Sequence, residues 1–270
     1  MERVKVDKTL KMLVGGAFVR SESGRTLALS DRLRAPRASR KDLRGAVEAA
    51  EKALAGWSSA TGYLRGQIVY RLAEMLEGRR SAFAAVTSDA EVTSSVDALV
   101  SLAGWSDKYG HVFGSANQVA GPYHNFTVPG PVGVVGVVAP DEPSLLGLIG
   151  TIGPAVVCGC SVVALVSRTN ARAVEFGEIV ETSDVPGGAV NLLTGDLAEL
   201  APHFASHRGI GAVVACGVDR ETRTALERGA AENMKRVSVF DAPADAADWA
   251  SPTQIERVLE FKTIWHPSSA

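Results

Sequence analysis

The sequence predicts an α/β protein with a doubly wound parallel sheet, an N-terminal helical wrapper and a C-terminal strand. Three patterns lead to this prediction. Over residues 128–241, valine-rich apolar runs alternate with helical segments. Over residues 1–127, apolar residues recur at helical spacing. Within residues 253–270, polar and apolar residues alternate. Apolar strands separated by helices are typical of a parallel sheet, because right-handed crossovers cover both of its faces.

The N-terminal part is predicted to hold a short hairpin and three helices. The hairpin covers residues 11–20 and turns at Gly15-Gly16. Ser39 is a candidate N-cap for the first helix. That helix presents apolar residues at helical spacing, namely Val47, Ala50, Leu54 and Trp57. The second and third helices are predicted over residues 64–86 and 91–109.

The parallel sheet is predicted from residue 128 onward. Its strands are expected at residues 132–138, 161–166, 189–193, 211–215 and 236–240, and its helices at residues 145–157, 171–182, 197–207 and 219–231. The charge-free stretch 144–166 is long enough to span a bilayer. Gly153-Pro154 interrupts it, however, which favours a buried helix, a turn and a buried strand.

The last part of the chain begins with residues 242–252, which are rich in Ala and Asp and are predicted to be a linker. A strand is predicted over residues 260–265. Its unpaired edge is a template for another chain's sheet, which predicts association through this segment. The alternative is that the strand folds back on a hairpin near residues 125–128.

The composition excludes several classes of protein. Of the 270 residues, 46% are hydrophobic and 21% are charged, which argues against long disorder, and the net charge of −2 argues against a general polyanion binder. The basic run over residues 32–44 favours a solvated loop leading into a helix. The alternative, an anion or nucleic-acid patch, has no interleaved aromatic residue to stack on bases.

The cysteines Cys158, Cys160 and Cys216 lie in apolar surroundings. One residue separates Cys158 from Cys160, whereas redox and zinc motifs have two, so both are interpreted as core residues and no metal site is expected. Free cysteines predict a reducing compartment, and residues 1–8 lack the apolar region of a signal peptide. We therefore expect a cytoplasmic protein.

Glycine patterns alone indicate little about the ligand. The fingerprint G-x-G-x-x-G of dinucleotide-binding folds is absent, and glycines spaced by three residues are typical of turns and packing. Several longer motifs, taken together, resemble the aldehyde dehydrogenase family. They are Pro131-Val-Gly-Val-Val-Gly-Val-Val-Ala-Pro140, Pro186-Gly-Gly-Ala-Val-Asn-Leu-Leu-Thr-Gly195 and Asn233-Met-Lys-Arg-Val-Ser-Val239.

The resemblance implies a Rossmann-like dinucleotide-binding domain at residues 128–241 and a bridging, oligomerising strand within residues 253–270. The family's catalytic domain, which carries the cysteine nucleophile, would lie between them but is absent. The resemblance places Glu142 at the position of the oxyanion-stabilising asparagine and Phe240 at that of the base glutamate. A carboxylate donates no proton to an oxyanion, and a phenyl ring is no base. No catalytic residue is therefore predicted.

The cofactor positions are also altered relative to the family. The resemblance assigns them to Ala139, Pro140, Ser167, Arg168, Gly195 and Gly217. Leu165 replaces a ribose-binding lysine, and Arg168 replaces a ribose-binding glutamate. An arginine at this place suits either a 2′-phosphate or a plain surface role. We expect NAD(P) binding to be absent or weak.

These observations lead to the hypothesis of a pseudoenzyme that serves as a structural or regulatory subunit. It would join itself or a full-length aldehyde dehydrogenase through residues 259–267, with no membrane and no nucleic acid as partner. The alternative is an NAD(P)-binding subunit of an active heteromeric aldehyde oxidoreductase.

Overall fold

The computed structural model describes residues 8–268. The predicted absence of a signal peptide falls largely on residues 1–7 and so lies outside the described residues, as do residues 269 and 270 of the predicted C-terminal segment. The strands are β1 Lys8–Thr9, β2 Met12–Val14, β3 Ala17–Val19, β4 Thr26–Ser30, β5 Leu33–Pro36, β6 Ser115–Asn117, β7 Tyr123–Pro131, β8 Val134–Val138, β9 Ser161–Val166, β10 Val190–Thr194, β11 Ala212–Cys216, β12 Arg236–Phe240 and β13 Leu259–Pro267.

These strands form three sheets, and helices cover both faces of the largest, which has seven strands. The helices are α1 Arg40–Ser59, α2 Gly62–Gly78, α3 Arg80–Ala84, α4 Asp89–Trp105, α5 Tyr109–Phe113, α6 Ser144–Val157, α7 Gly177–Glu181, α8 Leu197–Ser206, α9 Arg220–Ala231 and α10 Pro252–Glu256. Two 3₁₀ helices, Ala171–Phe176 and Ala246–Ala250, accompany them. Among the residues that the structure describes, no helix is both long and apolar enough to cross a membrane.

The main sheet has the strand order β12-β11-β8-β9-β10-β2-β3. Strands β12, β11, β8, β9 and β10 run parallel, which confirms the predicted doubly wound sheet. The predicted hairpin β2–β3 turns at Gly15-Gly16, both with positive φ, and extends the sheet by pairing β2 antiparallel to β10. The N-terminal hairpin is therefore part of the same sheet as the parallel strands.

Alternate residues of the parallel strands pack into separate cores on the two faces. Val135 and Val137 face a core formed with α2, α4 and α6, whereas Val134 and Val138 face a core formed with α1, α8 and α9. Because both faces are covered by helices, the strands are apolar throughout, as the sequence shows.

Ser39 caps α1 as predicted, and its side chain accepts hydrogen bonds from the backbone N–H groups of Lys41 and Asp42. Other helices differ from the predictions. The helix predicted over residues 64–86 ends at Gly78, a poor helix former, and α3 follows it. The helix predicted over residues 91–109 ends early, at Trp105, and a separate short helix, α5, begins at Tyr109.

The segment predicted as one helix over residues 171–182 begins as a 3₁₀ helix. Residues three apart eclipse each other in this geometry. Arg172 accordingly donates to Glu175, with its Nε 3.0 Å from the carboxylate. An α-helical turn starts only at Gly177.

The segment predicted as a linker is a packed connection between β12 and α10. Trp249 is 1% exposed and lies against α6, where a Cβ added at Gly150 would be 2.4 Å from its ring. Glycine is thus needed in α6 for this close approach. The connection from β12 to β13 occupies only residues 241–258.

A second sheet, here called the terminal sheet, consists of β13, β7 and β6 in that order. β13 pairs antiparallel with β7 from Leu259↔Pro131 to Pro267↔Tyr123. The fold-back alternative for the C-terminal strand is therefore the arrangement observed, and it is longer than residues 125–128. Within residues 8–268, the outer edge of β13 has no neighbouring strand.

Candidate functional site

The main sheet reverses its strand order between β8 and β11, and ligands of doubly wound sheets bind at such switch points. A cleft of about 500 Å³ lies there, beyond the carboxyl ends of the strands. It is lined by all six positions predicted for a cofactor, namely Ala139, Pro140, Ser167, Arg168, Gly195 and Gly217. The fold therefore brings together residues that are distant in the sequence.

The loop after β8 is held by hydrogen bonds from the loop after β9. Asn170 donates its Nδ2 to the carbonyl of Pro140 at 2.8 Å, and Ser167 donates its hydroxyl to Asp141. These contacts fix the cleft wall between β8 and α6. Glu142, at the position assigned to the family's asparagine, is exposed on this loop.

The N-terminus of α6 is capped by Glu91 from α4. Its Oε1 accepts from the backbone N–H groups of Leu145 at 2.6 Å and Leu146 at 3.1 Å. A carboxylate placed there satisfies free amides and interacts favourably with the helix dipole. These amides are therefore engaged and do not form an oxyanion site.

The N-termini of α8 and α9 both line the cleft, and Asp196 caps that of α8. Asp219 caps that of α9. Its Oδ1 accepts from the backbone N–H of Thr222 at 2.7 Å. This hydrogen bond lowers the pKa of Asp219, so the group is a carboxylate at neutral pH. A helix N-terminus attracts phosphate through its free amides and its dipole, and here a fixed negative charge occupies that place.

Arg168 and Leu165 also lack the free hydrogen-bonding groups expected of two residues that bind the ribose of a dinucleotide. The Arg168 guanidinium donates to the carbonyl of Ala28 at 3.0 Å, and Leu165 is 1% exposed. The other cleft arginine, Arg37, pairs with Asp196 and Glu199 at 3.3 and 2.8 Å. With these contacts and the Asp219 carboxylate, the residues present do not fit a dinucleotide well.

Phe240, at the position assigned to the base glutamate, is partly buried at the end of β12. The guanidinium carbon of Arg257 lies 4.1 Å from the centroid of its ring. Arg257 also donates to the hydroxyl of Ser238 on the same strand. An aromatic ring covered by a cation accepts no proton, so this position does not act as a base.

Cys216 lines the same cleft but is buried. Burial raises the pKa of its thiol to about 12. Burial also raises the pKa of Cys158 well above its ordinary value and that of Cys160 to about 11. The thiolate is the reactive form of cysteine, and none of the three sites favours it. In the described part of the chain, no cluster of His, Cys, Asp or Glu is arranged to hold a metal ion.

The basic run over residues 32–44 is partly neutralised by neighbouring carboxylates. Besides Arg37, Lys41 pairs with Glu22 at 3.2 Å and Arg44 pairs with Glu48 at 2.8 Å. These contacts disfavour the anion patch. The predicted loop is mostly regular structure, because β5 occupies Leu33–Pro36 and α1 begins at Arg40.

Sequence reasoning missed Asp219, Glu91 and Arg257. Asp219 carried a usable signal, because an aspartate directly before a helix is a typical N-cap. Glu91 and Arg257 act on elements distant in the sequence, and no local pattern identifies them.

Comparisons with known proteins agree with the motif-based resemblance. A profile of the Aldehyde dehydrogenase family matches residues 30–240, ending at the last residue of β12. The (Z)-2-((N-methylformamido)methylene)-5-hydroxybutyrolactone dehydrogenase of Acinetobacter baylyi is 30% identical over 76% of this chain and 44% of its own length. Aldehyde dehydrogenase, cytosolic 1 of Elephantulus edwardii is 26% identical over 97% of this chain and 56% of its own.

A solved structure shows the same similarity. The NAD+ complex of aldehyde dehydrogenase from Bacillus cereus matches with a TM-score of 0.80 at 25% identity, covering 87% of this chain and 51% of that one. The chain thus spans about half the length of the relatives it matches.

Proposed function

The chain belongs to the aldehyde dehydrogenase family, and from this premise we propose that it has no catalytic activity of its own and serves as a structural or regulatory subunit. It would assemble with a second copy or with a full-length aldehyde dehydrogenase. The buried free thiols suit a reducing compartment such as the cytoplasm.

The proposed loss of activity follows from two positions and from the short connection between β12 and β13. Family chemistry needs a thiolate, an amide donor for the oxyanion and a carboxylate that activates water. This chain has Glu142 in place of the amide donor and Phe240 under Arg257 in place of the base. Residues 241–258 connect β12 directly to β13, which leaves no room there for a domain carrying a nucleophile.

The main observation in support of an assembly role is that apolar side chains of the terminal sheet are exposed to solvent. Phe261 and Trp265 on one face are 40% and 58% exposed, and Val128 and Ile264 on the other are 43% and 42% exposed. A small sheet that is wet on both faces is marginally stable alone, and grouped exposed apolar side chains mark interaction sites. A partner chain that covers this sheet would stabilise it and would shield its apolar side chains from water.

The proposal is tested by two measurements on the purified chain. Incubation with short aliphatic and aromatic aldehydes plus NAD+ or NADP+ is expected to give no increase in absorbance from the reduced cofactor. Sustained turnover above that of a buffer control would refute the loss of activity.

The second measurement is co-purification with a tagged full-length aldehyde dehydrogenase from the same source, together with the native mass of the chain alone. Association in either form supports the subunit role. Replacing Trp265 by Ser is expected to weaken it, whereas replacing Tyr70 by Ser is not, because Tyr70 is 50% exposed on α2, outside the terminal sheet. A chain that associates with neither partner contradicts the proposal.

A second candidate function is an NAD(P)-binding subunit of a heteromeric oxidoreductase. The cleft at the switch point favours it, because it gathers the six positions predicted for a cofactor. The Asp219 carboxylate at the N-terminus of α9 disfavours it. Calorimetric titration separates the two candidates, since binding of NAD+ or NADP+ in the micromolar range would favour the second.

A further inference from the structure

The hydrogen-bond pattern of the terminal sheet determines which backbone groups of β13 remain free. Val132 donates its N–H to the carbonyl of Val258, and Ser268 donates its N–H to the carbonyl of Pro122. In an antiparallel pair, hydrogen-bonded and non-hydrogen-bonded positions alternate. The even-numbered residues of β13 therefore bond to β7, and the odd-numbered ones point their N–H and C=O groups to the outer edge.

The positions of the prolines in β7 agree with this alternation of odd- and even-numbered residues. Pro129 and Pro131 lie opposite Phe261 and Leu259, which are positions where β7 needs no N–H for the ladder. The free edge therefore presents the N–H and C=O groups of Phe261, Thr263 and Trp265. At the first residue of β13, the carbonyl of Leu259 already accepts a hydrogen bond from Arg236, so the free edge begins after Leu259.

This edge is complementary to itself. Two antiparallel copies of β13 related by a twofold axis at Thr263, the midpoint of Leu259–Pro267, would pair Thr263 with Thr263. Phe261 would then face Trp265 of the other copy, and Glu260 would face His266. Aromatic pairs and pairs of opposite charge stabilise adjacent strands, and a twofold interface requires such self-complementarity.

The neighbouring registers are less favourable. An axis at Lys262 places Lys262 opposite Lys262, and an axis at Ile264 places Lys262 opposite His266, so both juxtapose basic side chains. An axis at Phe261 runs the partner strand past Leu259, where Arg236 already occupies the edge. A twofold axis midway between two residues would place odd-numbered residues opposite even-numbered ones. This arrangement is excluded, because only the odd-numbered residues of β13 have free N–H and C=O groups at the outer edge.

From these observations we infer that a second copy of this chain is the partner of the terminal sheet, joined through antiparallel pairing of β13 about Thr263. The inference rests on the proposed assembly function and specifies its partner. It joins the two terminal sheets into one continuous sheet. The aromatic face is extended, because Tyr123–Trp265 and Phe113–Phe261 contacts, with ring centroids 5.7 and 6.5 Å apart, lie beside each new Phe261–Trp265 pair.

The register is tested with single cysteine variants. Hydrogen-bonded antiparallel partners have Cα atoms about 5.5 Å apart, within the range that a disulfide spans. Thr263→Cys is therefore expected to form a covalent dimer on mild oxidation of the native protein. Lys262→Cys is the matched control, because in this register the two Lys262 Cα atoms are more than about 7 Å apart and are not expected to cross-link.

The free edge is tested with single proline variants. Thr263→Pro removes an outward backbone N–H and obstructs the partner strand, and it also removes the exposed hydroxyl contact to Thr127 on β7. The dissociation constant of the dimer is expected to rise about 10-fold or more, while the circular dichroism of the monomer changes little, because all backbone hydrogen bonds between β13 and β7 are kept. Ile264→Pro removes an N–H that bonds to β7 and is expected to disturb the terminal sheet itself.

Two results would overturn the inference. One is a monomer mass for the unmodified chain at all concentrations together with no cross-link for Thr263→Cys. The other is cross-linking of Lys262→Cys in preference to Thr263→Cys, which would place the axis elsewhere. Neither result bears on aldehyde turnover or on capture by a full-length dehydrogenase, so failure of this inference is distinguishable from failure of the proposed function.

Discussion

The guanidinium carbon of Arg257 lies 4.1 Å from the centroid of the Phe240 ring. Arg257 follows α10, near the end of the connection from β12 to β13, and Phe240 ends β12, where that connection begins. One contact thus joins the two ends of residues 241–258. Burial lowers the pKa of Arg257, but a guanidinium stays protonated in proteins, so the side chain is a cation.

Arg257→Ala is expected to lower the free energy of unfolding by about 1–2 kcal/mol, because it removes the cation–π contact and the hydrogen bond to Ser238. Urea denaturation followed by tryptophan fluorescence measures the change. Arg223→Ala is the control. Its salt bridge to Glu227 on α9 is exposed and is worth less than about 0.5 kcal/mol. Equal effects of the two substitutions would contradict a special role for Arg257.

A second prediction concerns the packing of Trp249 against α6. Gly150→Ala would place a Cβ 2.4 Å from the Trp249 ring and is expected to cost about 1–3 kcal/mol of stability. Gly45→Ala, inside α1 and with open space around it, is expected to leave stability unchanged or raise it by about 0.5–1 kcal/mol. Denaturant midpoints of the two variants compare the same substitution in two helices. A neutral Gly150→Ala would mean that Trp249 does not anchor the connection.

The third prediction concerns the cysteines. Burial raises the pKa of the Cys216 thiol to about 12, which disfavours the reactive thiolate at pH 8, and Cys158 and Cys160 are buried as well. Iodoacetamide at pH 8 is therefore expected to leave all three unmodified in the native protein and to label all three after denaturation. Mass spectrometry of tryptic peptides measures the labelling. Rapid native labelling of Cys216 would reveal an activated thiol in the cleft and would reopen the question of catalysis.

The parallel sheet could be predicted from the sequence because its information is local. Each strand from β8 to β12 is a short apolar run next to a helical pattern. The start of α1 is also indicated locally, because Ser39 and Asp42 form a capping box three residues apart. The terminal sheet could be predicted only in part. The register of β13 on β7 joins residues far apart in the chain, and no local pattern encodes such a pairing.

The candidate site was predictable to the same limited extent. The motif resemblance identified six positions, and the fold gathers them in one cleft. What those positions contact depends on long-range geometry. Arg168 reaches Ala28 and Arg37 reaches Glu199, contacts that only the folded chain defines.

The last prediction concerns Asp219, whose carboxylate caps the N-terminus of α9 at the cleft. Asp219→Asn keeps a side-chain oxygen that caps α9 but removes the negative charge. We expect this variant to bind NAD+ about 5-fold or more tightly than the natural sequence, since repulsion of the phosphates is relieved. Isothermal titration calorimetry at low ionic strength measures the affinities, because screening by salt weakens the effect.

Asp107→Asn removes a charge from an exposed position that does not line the cleft, and it is the control for net charge. Its affinity for NAD+ is expected to equal that of the natural sequence. If Asp219→Asn and the natural sequence bind NAD+ with the same affinity, the carboxylate is not what weakens binding. Leu165 and the engaged Arg168 would then be the remaining cause, because together they leave the ribose without a hydrogen-bonding partner at these two positions.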